Sequence, residues 1–213
     1  MPDFKFERTA LIRRPGAVIA GIDEAGRGPW AGPVVAAAVV FDIGKAPQAL
    51  CEAIDDSKKL NPSVRERLCA ELLACPAASV GVGRAEVEEI DRLNILKATF
   101  LAMGRALDDL KRPVDHALID GNRAPPLPCT VEMLVKGDSR SLSIAAASIV
   151  AKVTRDRLMR ELARQYPGYG WDSNAGYGTP EHQDAVTRLG VTPHHRRSFA
   201  PVRARLAAEI ADD

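Results

Sequence analysis

Residues 18–28 read V-I-A-G-I-D-E-A-G-R-G. A short apolar run climbs to Ile22, meets two consecutive carboxylates, Asp23 and Glu24, and breaks into a glycine turn around Arg27. At that length, bounded by glycine, the run predicts a buried strand over residues 17–22. Two negative charges at the end of a buried strand need an offset, because charged side chains are seldom buried unpaired. Taken alone the pair also fits a solvated turn, so its meaning depends on what the rest of the chain places beside it.

Outward from that stretch, V-V-A-A-A-V-V-F at 34–41 and A-S-V-G-V-G-R at 78–84 are further short apolar runs between Gly and Pro and read as strands. A helix before the latter starts at Asn61 as N-cap with Pro62 in its first turn. Over residues 86–110, Ile90, Leu93, Leu96, Phe100, Met103 and Leu107 recur at helical spacing, predicting a short helix and then a long one. H-A-L-I-D-G-N at 116–122 and T-V-E-M-L-V-K at 130–136 read as strands around a proline-rich loop. Strand, helix, strand implies a right-handed crossover and a parallel pair. Residues 141–166 form a long helix with a small-residue face, residues 167–179 are loop-rich, and residues 180–189 open another helix. The order indicates an α/β sheet with a helical C-terminal appendage: a tail at 1–16, a core at 17–166, and a helical region at 167–213.

The chain has 213 residues, 46% of them apolar or aromatic, enough for one sizeable core. Its formal net charge of +1 announces neither a nucleic-acid nor a membrane partner, although local segregation remains open. Cys51, Cys69, Cys75 and Cys129 form no C-x-x-C pair, which argues against structural zinc and fits reduced thiols. The N-terminal residues lack a signal peptide's apolar region, and the longest apolar stretch, residues 29–41, is too short to cross a bilayer. These features predict a cytoplasmic protein with no membrane partner, and a monomer by default.

Asp23, Asp120 and Asp138 share one context: each lies where an apolar element stops. In an open α/β sheet, adjacent strand ends bring distant residues to one edge, where ligands bind. Should the first strand pair with the one ending at Asp120, their carboxylates become neighbours. Converging carboxylates repel, so a cation belongs among them. Oxygen donors without thiolates or clustered histidines suit Mg²⁺ or Mn²⁺, and two such ions roughly 4 Å apart would serve phosphodiester hydrolysis. Singly, Asp138 also fits a charge near a helix N-terminus, and Asp120 a turn residue.

G-I-D-E-A-G-R-G at 21–28, D-S-K-K-L at 56–60, L-I-D-G-N at 118–122, K-G-D-S at 136–139, I-A-A-A-S-I-V-A-K-V-T-R-D at 144–156 and H-R-R-S-F at 195–199 together resemble the bacterial ribonuclease HII family, in order and over nearly the whole chain. The resemblance implies an RNase H-like mixed sheet, three antiparallel strands then parallel strands, flanked by helices. It implies an endoribonuclease acting on RNA–DNA hybrids and on ribonucleotide-containing duplex DNA, with Asp23, Glu24, Asp120 and Asp138 as the catalytic carboxylates holding two Mg²⁺ or Mn²⁺ ions. It assigns reading of the ribonucleotide to Gly26, Arg27, Gly28 and Tyr177. Ser57, Lys58, Lys136, Ser143, Lys152, Arg155, Arg196 and Arg197 become expected substrate contacts. Ser139 stands where many members have alanine, and the tail before Ala17 matches nothing in the pattern.

The residue types suit those roles. Only the 2′-hydroxyl marks a ribonucleotide, so its reader needs hydrogen-bonding groups close to one sugar. Glycines allow backbone to approach, Arg27 adds charge, and an aromatic such as Tyr177 can stack on a neighbouring sugar or base. An ordinary tight turn and a core-covering tyrosine remain the plain alternatives. G-R-G-P-W-A-G lacks dinucleotide-loop spacing and leads into a strand. Between Asp184 and Glu209 no acid occurs, while Arg188, His194, His195, Arg196, Arg197, Arg203 and Arg205 do, which reads as a phosphate-binding surface or a solvated face. The two histidines fit phosphate or structural contacts better than metal ligation. Other RNase H-like nucleases and a non-catalytic nucleic-acid binding module are the rival readings.

Overall fold

The computed structural model describes residues 1–211. In chain order the elements are α1 (Lys5–Arg13), β1 (Ile19–Ala25), β2 (Val34–Phe41), α2 (Gln48–Ala53), α3 (Pro62–Ala74), β3 (Ala78–Ala85), α4 (Val87–Leu93), α5 (Ile95–Asp109), β4 (His116–Asp120), β5 (Thr130–Leu134), α6 (Leu142–Gln165), α7 (Trp171–Asn174), α8 (Pro180–Leu189) and α9 (Ala200–Ala211). No described helix is long and apolar enough to cross a membrane, and all four cysteines are free thiols.

One sheet runs β3-β2-β1-β4-β5. β2 is antiparallel to both β1 and β3, while β4 joins β1 and β5 joins β4 in parallel. This is the expected mixed sheet, with two differences in connectivity. The α4–α5 crossover leaves β3 but delivers β4 beside β1. β4 and β5 pair in parallel through residues 121–129, which contain no helix, where about a dozen residues is the usual minimum.

The apolar run of β2 is buried on both sides because period-two alternation splits it between two cores. Ala37, Val39 and Phe41 pack with Leu68 and Leu72 of α3 and with α6, whereas Val34, Ala36, Ala38 and Val40 pack with Ala20, Ile22 and α5. Gly21 brings α6 against β1: a Cβ there would lie 2.2 Å from the Ser143 carbonyl carbon. Every residue of α6 from Leu142 to Ala151 is buried, so its small side chains set how closely helix and sheet approach.

Local signals hold where the chemistry is local. Asn61 caps α3 by accepting from the Val64 amide, Asn94 separates α4 from α5 at φ 72°, and Ser141 caps α6. The N-terminal residues depart from the expected tail. They form α1, whose Glu7 is buried at 1% exposure against the start of α6. The C-terminal appendage has its own small core, with Trp171, Tyr169, Ala185 and Val186 packed on Met159 of α6 and on Ala31.

Candidate active site

β1 continues through both carboxylates to Ala25. Ile22 is in register with Ile119 of β4, so Asp23 and Asp120 come next on adjacent strands. Asp120 pairs with Leu134 in β5, after which Lys136 takes a left-handed conformation (φ 56°) and turns the chain back. Asp138 then sits in a single 3₁₀ turn just before α6. The Gly137 amide donates to Asp120 Oδ1 at 2.7 Å, tying that turn to the strand end. Oxygens of Asp23, Asp120 and Asp138 all lie within 4.8 Å of one another.

Glu24 is outside this triad because strand alternation sends it to the other face of the sheet. There it lines a second hollow with Asp120, Arg27 and residues of α5, and its Oε1 accepts from Arg27 Nη1 at 3.2 Å. Asp120, at the edge, borders both faces.

Burial lifts the Asp23 carboxyl well above the usual carboxylate range, and the charges of Glu24, Asp120 and Asp138 lift it further against the hydrogen bond from the Glu24 amide. Burial also raises Glu24, opposed by Arg27, and raises Asp120, opposed by the Gly137 amide. Among the described residues the triad's one ion-pair partner is Lys58, whose Nζ lies 3.4 Å from Asp138 Oδ2 on a largely exposed side chain. A buried, oxygen-only set with so little compensation fits a hard divalent cation.

Beside the triad lies a cleft of about 290 Å³ lined by Asp23, Glu24, Gly26, Arg27, Gly28, Ser57, Lys58, Ser148, Lys152, Arg155 and Tyr177, with Ala25. Lys58 and Ser57 are held there by local bonds: Lys58 N donates to Asp56 Oδ1, Ser57 N to Ser148 Oγ, and Arg65 Nη1 to the Ser57 carbonyl. Tyr177 is 47% exposed, and its ring stands over Gly28. Lys152 Nζ is paired with Asp156 Oδ1 at 2.7 Å.

Other expected contacts lie elsewhere. Arg196 is fully buried, and its guanidinium donates to the carbonyls of Gly26, Arg27, Gly32 and Pro33. Arg155 reaches the cleft wall, but its guanidinium donates to the carbonyls of Pro33, Ala175 and Ala31. Both are therefore scaffold, not phosphate contacts. Ser143 is buried against Gly21, beneath the sheet edge rather than in the cleft. Lys136 and Arg197 are exposed outside the cleft lining, and the Arg197 amide is engaged by Asp91 Oδ2. The basic run is thus less of a surface than its charge suggests: His195 too is fully buried, bonded to His182 and Thr192, with burial and then His182 pushing it down to about 3.

Sequence reasoning passed over Ser148, although it lies one turn before Lys152 on the same helical face, and over Glu7, which carries no signal beyond a lone acid in a short helix.

Solved structures similar to this one include the ribonuclease H2 of Pyrococcus horikoshii OT3, with TM-score 0.74 and 29% identity over 89% of this chain and 97% of that chain. Another is the ribonuclease HII of Archaeoglobus fulgidus, solved in complex with PCNA, with TM-score 0.69 and 26% identity over 85% and 95% of the two chains. A mixed sheet of this order, with carboxylates gathered at the ends of β1 and β4 and after β5, belongs to the RNase H-like, metal-dependent nucleases. Within that class the match is specific. The family model Ribonuclease HII covers residues 20–202. A Ribonuclease HII of Rhodospirillum rubrum is 63% identical over 97% of this chain and 93% of its own length, and one of Paramagnetospirillum magneticum 61% over 95% and 97%. The chain belongs to the ribonuclease HII family, and its activity is that of a metal-dependent endoribonuclease of the ribonuclease H type.

Proposed function

We propose that the chain cuts the RNA strand of RNA–DNA hybrids, and duplex DNA on the 5′ side of a single embedded ribonucleotide, leaving 5′-phosphate and 3′-hydroxyl ends. The observation that carries this reading is the continuity of the site: the Asp23 carboxylate and the Gly26–Gly28 turn lie on one peptide and line one cleft. In this reading Asp23, Glu24, Asp120 and Asp138 hold two Mg²⁺ or Mn²⁺ ions. Bound there, such ions would supply Lewis acidity toward a water and positive charge toward the phosphate.

The chain's own groups do the rest. Arg27, half exposed and braced by Glu24, meets the strand's negative charge. Lys58 adds a second cation at the triad's rim. Tyr177 stacks beside the inspected sugar, an interaction of about 1–3 kcal/mol if it equals base stacking. No protein nucleophile is prepared: Ser148 Oγ donates to the Ala145 carbonyl while accepting from Ser57 N, and no histidine lines the cleft. Water therefore forms the new P–O bond, the P–O3′ bond breaks, and the departing oxygen takes a proton.

The test compares one duplex with and without a single ribonucleotide, in Mg²⁺, in Mn²⁺ and with chelator. We expect one cut, 5′ of the ribonucleotide, with either metal and none with chelator. Equal cutting of the all-DNA duplex sinks the reading.

A further inference from the structure

Two arginines lie in the interior without a carboxylate partner. Arg196 is fully buried and Arg155 is 1% exposed, and among the described residues neither is in a salt bridge. A buried cation without a counter-ion is costly unless dipoles replace it. Here backbone carbonyls do so, and they come from one segment. Arg196 donates through Nε to Gly32 O at 3.0 Å, through Nη1 to Arg27 O at 3.0 Å, and through Nη2 to Gly26 O at 2.5 Å, Gly32 O at 2.8 Å and Pro33 O at 3.3 Å. Arg155 donates to Pro33 O, Ala31 O and Ala175 O at 2.9–3.0 Å.

The direction of these bonds has a consequence on the other side of the loop. In a trans peptide the carbonyl of one residue and the amide N–H of the next point opposite ways, and no peptide among the described residues is cis. With the Gly26 and Arg27 carbonyls drawn in to Arg196, the N–H groups of Arg27 and Gly28 face out. Both residues are exposed and line the cleft, and no acceptor within the described residues takes either amide. Gly26 is held at φ +97°, where a Cβ would lie 2.0 Å from Arg155 Nε, so the second arginine also enforces the glycine.

We infer that Arg196 is the positioning residue of the reading loop: its fork turns two consecutive peptides so that two neighbouring N–H donors meet an oxygen of the ribose or its phosphate. Arg155 anchors the far end of the same segment and, through Ala175, the strand of loop carrying Tyr177. This rests on the reading of Gly26–Gly28 as the ribose-recognition element. Lysine at 196 keeps the charge but has no planar fork to hold several carbonyls at once.

The experiment measures duplex binding in an Asp23→Asn background, which leaves the substrate uncut. Arg196→Lys is expected to lower the preference for a ribonucleotide-containing duplex over an all-DNA duplex about tenfold, the effect of two misplaced neutral hydrogen bonds. All-DNA binding, and Mn²⁺ binding by the Arg196→Lys single variant, should stay within twofold. An unchanged preference overturns the assignment to Arg196. Absence of any preference in the Asp23→Asn parent overturns the loop reading itself, and this inference with it. Should Arg196→Lys fail to fold, the amide resonances of Arg27 and Gly28 in the parent must shift with the ribonucleotide duplex and not with DNA; equal response to both refutes the proposal.

Discussion

Glu7 gives the sharpest test of how the fold supports the site. Its Oε1 accepts from Ser141 Oγ at 2.6 Å and from the Ser143 amide at 2.9 Å, at a position only 1% exposed. Ser141 caps α6 three residues after Asp138, and the adjoining backbone is clamped as well, with Leu142 N donating to Asp3 O at 3.0 Å. Glu7→Ala removes the acceptor and leaves two buried donors. Each orphaned donor costs roughly 1–3 kcal/mol. A cavity of about 250 Å³ borders Glu7, so water can recover part of that, and the expected net loss is about 2–3 kcal/mol. For a chain of this size that is a fall in Tm of about 4–12 °C. Glu7→Gln keeps an oxygen in place and loses only the charge assistance, about 1 kcal/mol. Thermal and urea unfolding, with calorimetric Mn²⁺ titration of each variant, supply the readouts. Because the clamp holds the turn that carries Asp138, Mn²⁺ affinity should weaken in the order Gln, then Ala. A Glu7→Ala protein within 0.5 kcal/mol of wild type would refute the clamp, and one that loses stability while binding Mn²⁺ normally would refute its link to Asp138.

Two further outcomes follow from the carboxylate cluster. Asp23→Asn should abolish metal-dependent cleavage in a gel assay yet raise the Tm of the metal-free protein, since it removes a carboxylate that burial and the neighbouring Glu24, Asp120 and Asp138 disfavour in its charged form; a lowered Tm would contradict that account. The folded carboxyls of Asp23, Glu24 and Asp120 are all raised above their unfolded values. At this cluster the folded state therefore binds more protons, so the cluster's contribution to the stability of the metal-free chain is fullest below the ordinary carboxylate value of about 4 and is lost as pH rises through the raised values; His195, pushed down to about 3, acts in the opposite sense, its contribution being lost as pH falls below the ordinary histidine range. Added Mg²⁺ should flatten that slope, and denaturant midpoints measured across pH with and without the ion check both signs.

What the residues alone disclose depends on how local the physics is. The β2 run, the Asn61 cap and the division of 86–110 into a short and a long helix are decided by neighbours in sequence, and the structure bears out all three, with the break falling at Asn94. The convergence of Asp23 with Asp120 needed one added assumption, that β1 and β4 pair, which the register bears out. Non-local facts were hidden. Nothing in K-F-E-R-T-A-L-I-R announces that Glu7 meets Ser141 across 134 positions. Arg155 and Arg196 are expected as substrate contacts on the resemblance, Arg196 also as part of the basic run, and only the inward-turned carbonyls of a loop far away in sequence make their burial possible. Ser143 was misplaced for a related reason: it belongs to the helix that leaves the site, and Gly21 draws it under the sheet.

The consecutive carboxylates of β1 divide their work through strand geometry. Asp23 is in register with Ala37 and faces α6, where Asp138 arrives; Glu24 is in register with Ala36 and faces α5, where Arg27 folds back on it. A strand that ended between them could have aimed both at one point. Because it continues to Ala25 instead, the pair straddles the sheet edge: Glu24 borders both hollows, and Asp120, on the neighbouring strand end, joins the Asp23–Asp138 group while lining the α5-side hollow with Glu24. Its charge raises both Asp23 and Glu24. Asp120 is in turn fixed by the Gly137 amide, which donates to its Oδ1 and so ties the turn that carries Asp138 to the end of β4. The strand's period of two thus sets Asp23 and Glu24 on opposite faces, and the charge of Asp120 at the neighbouring strand end acts on both.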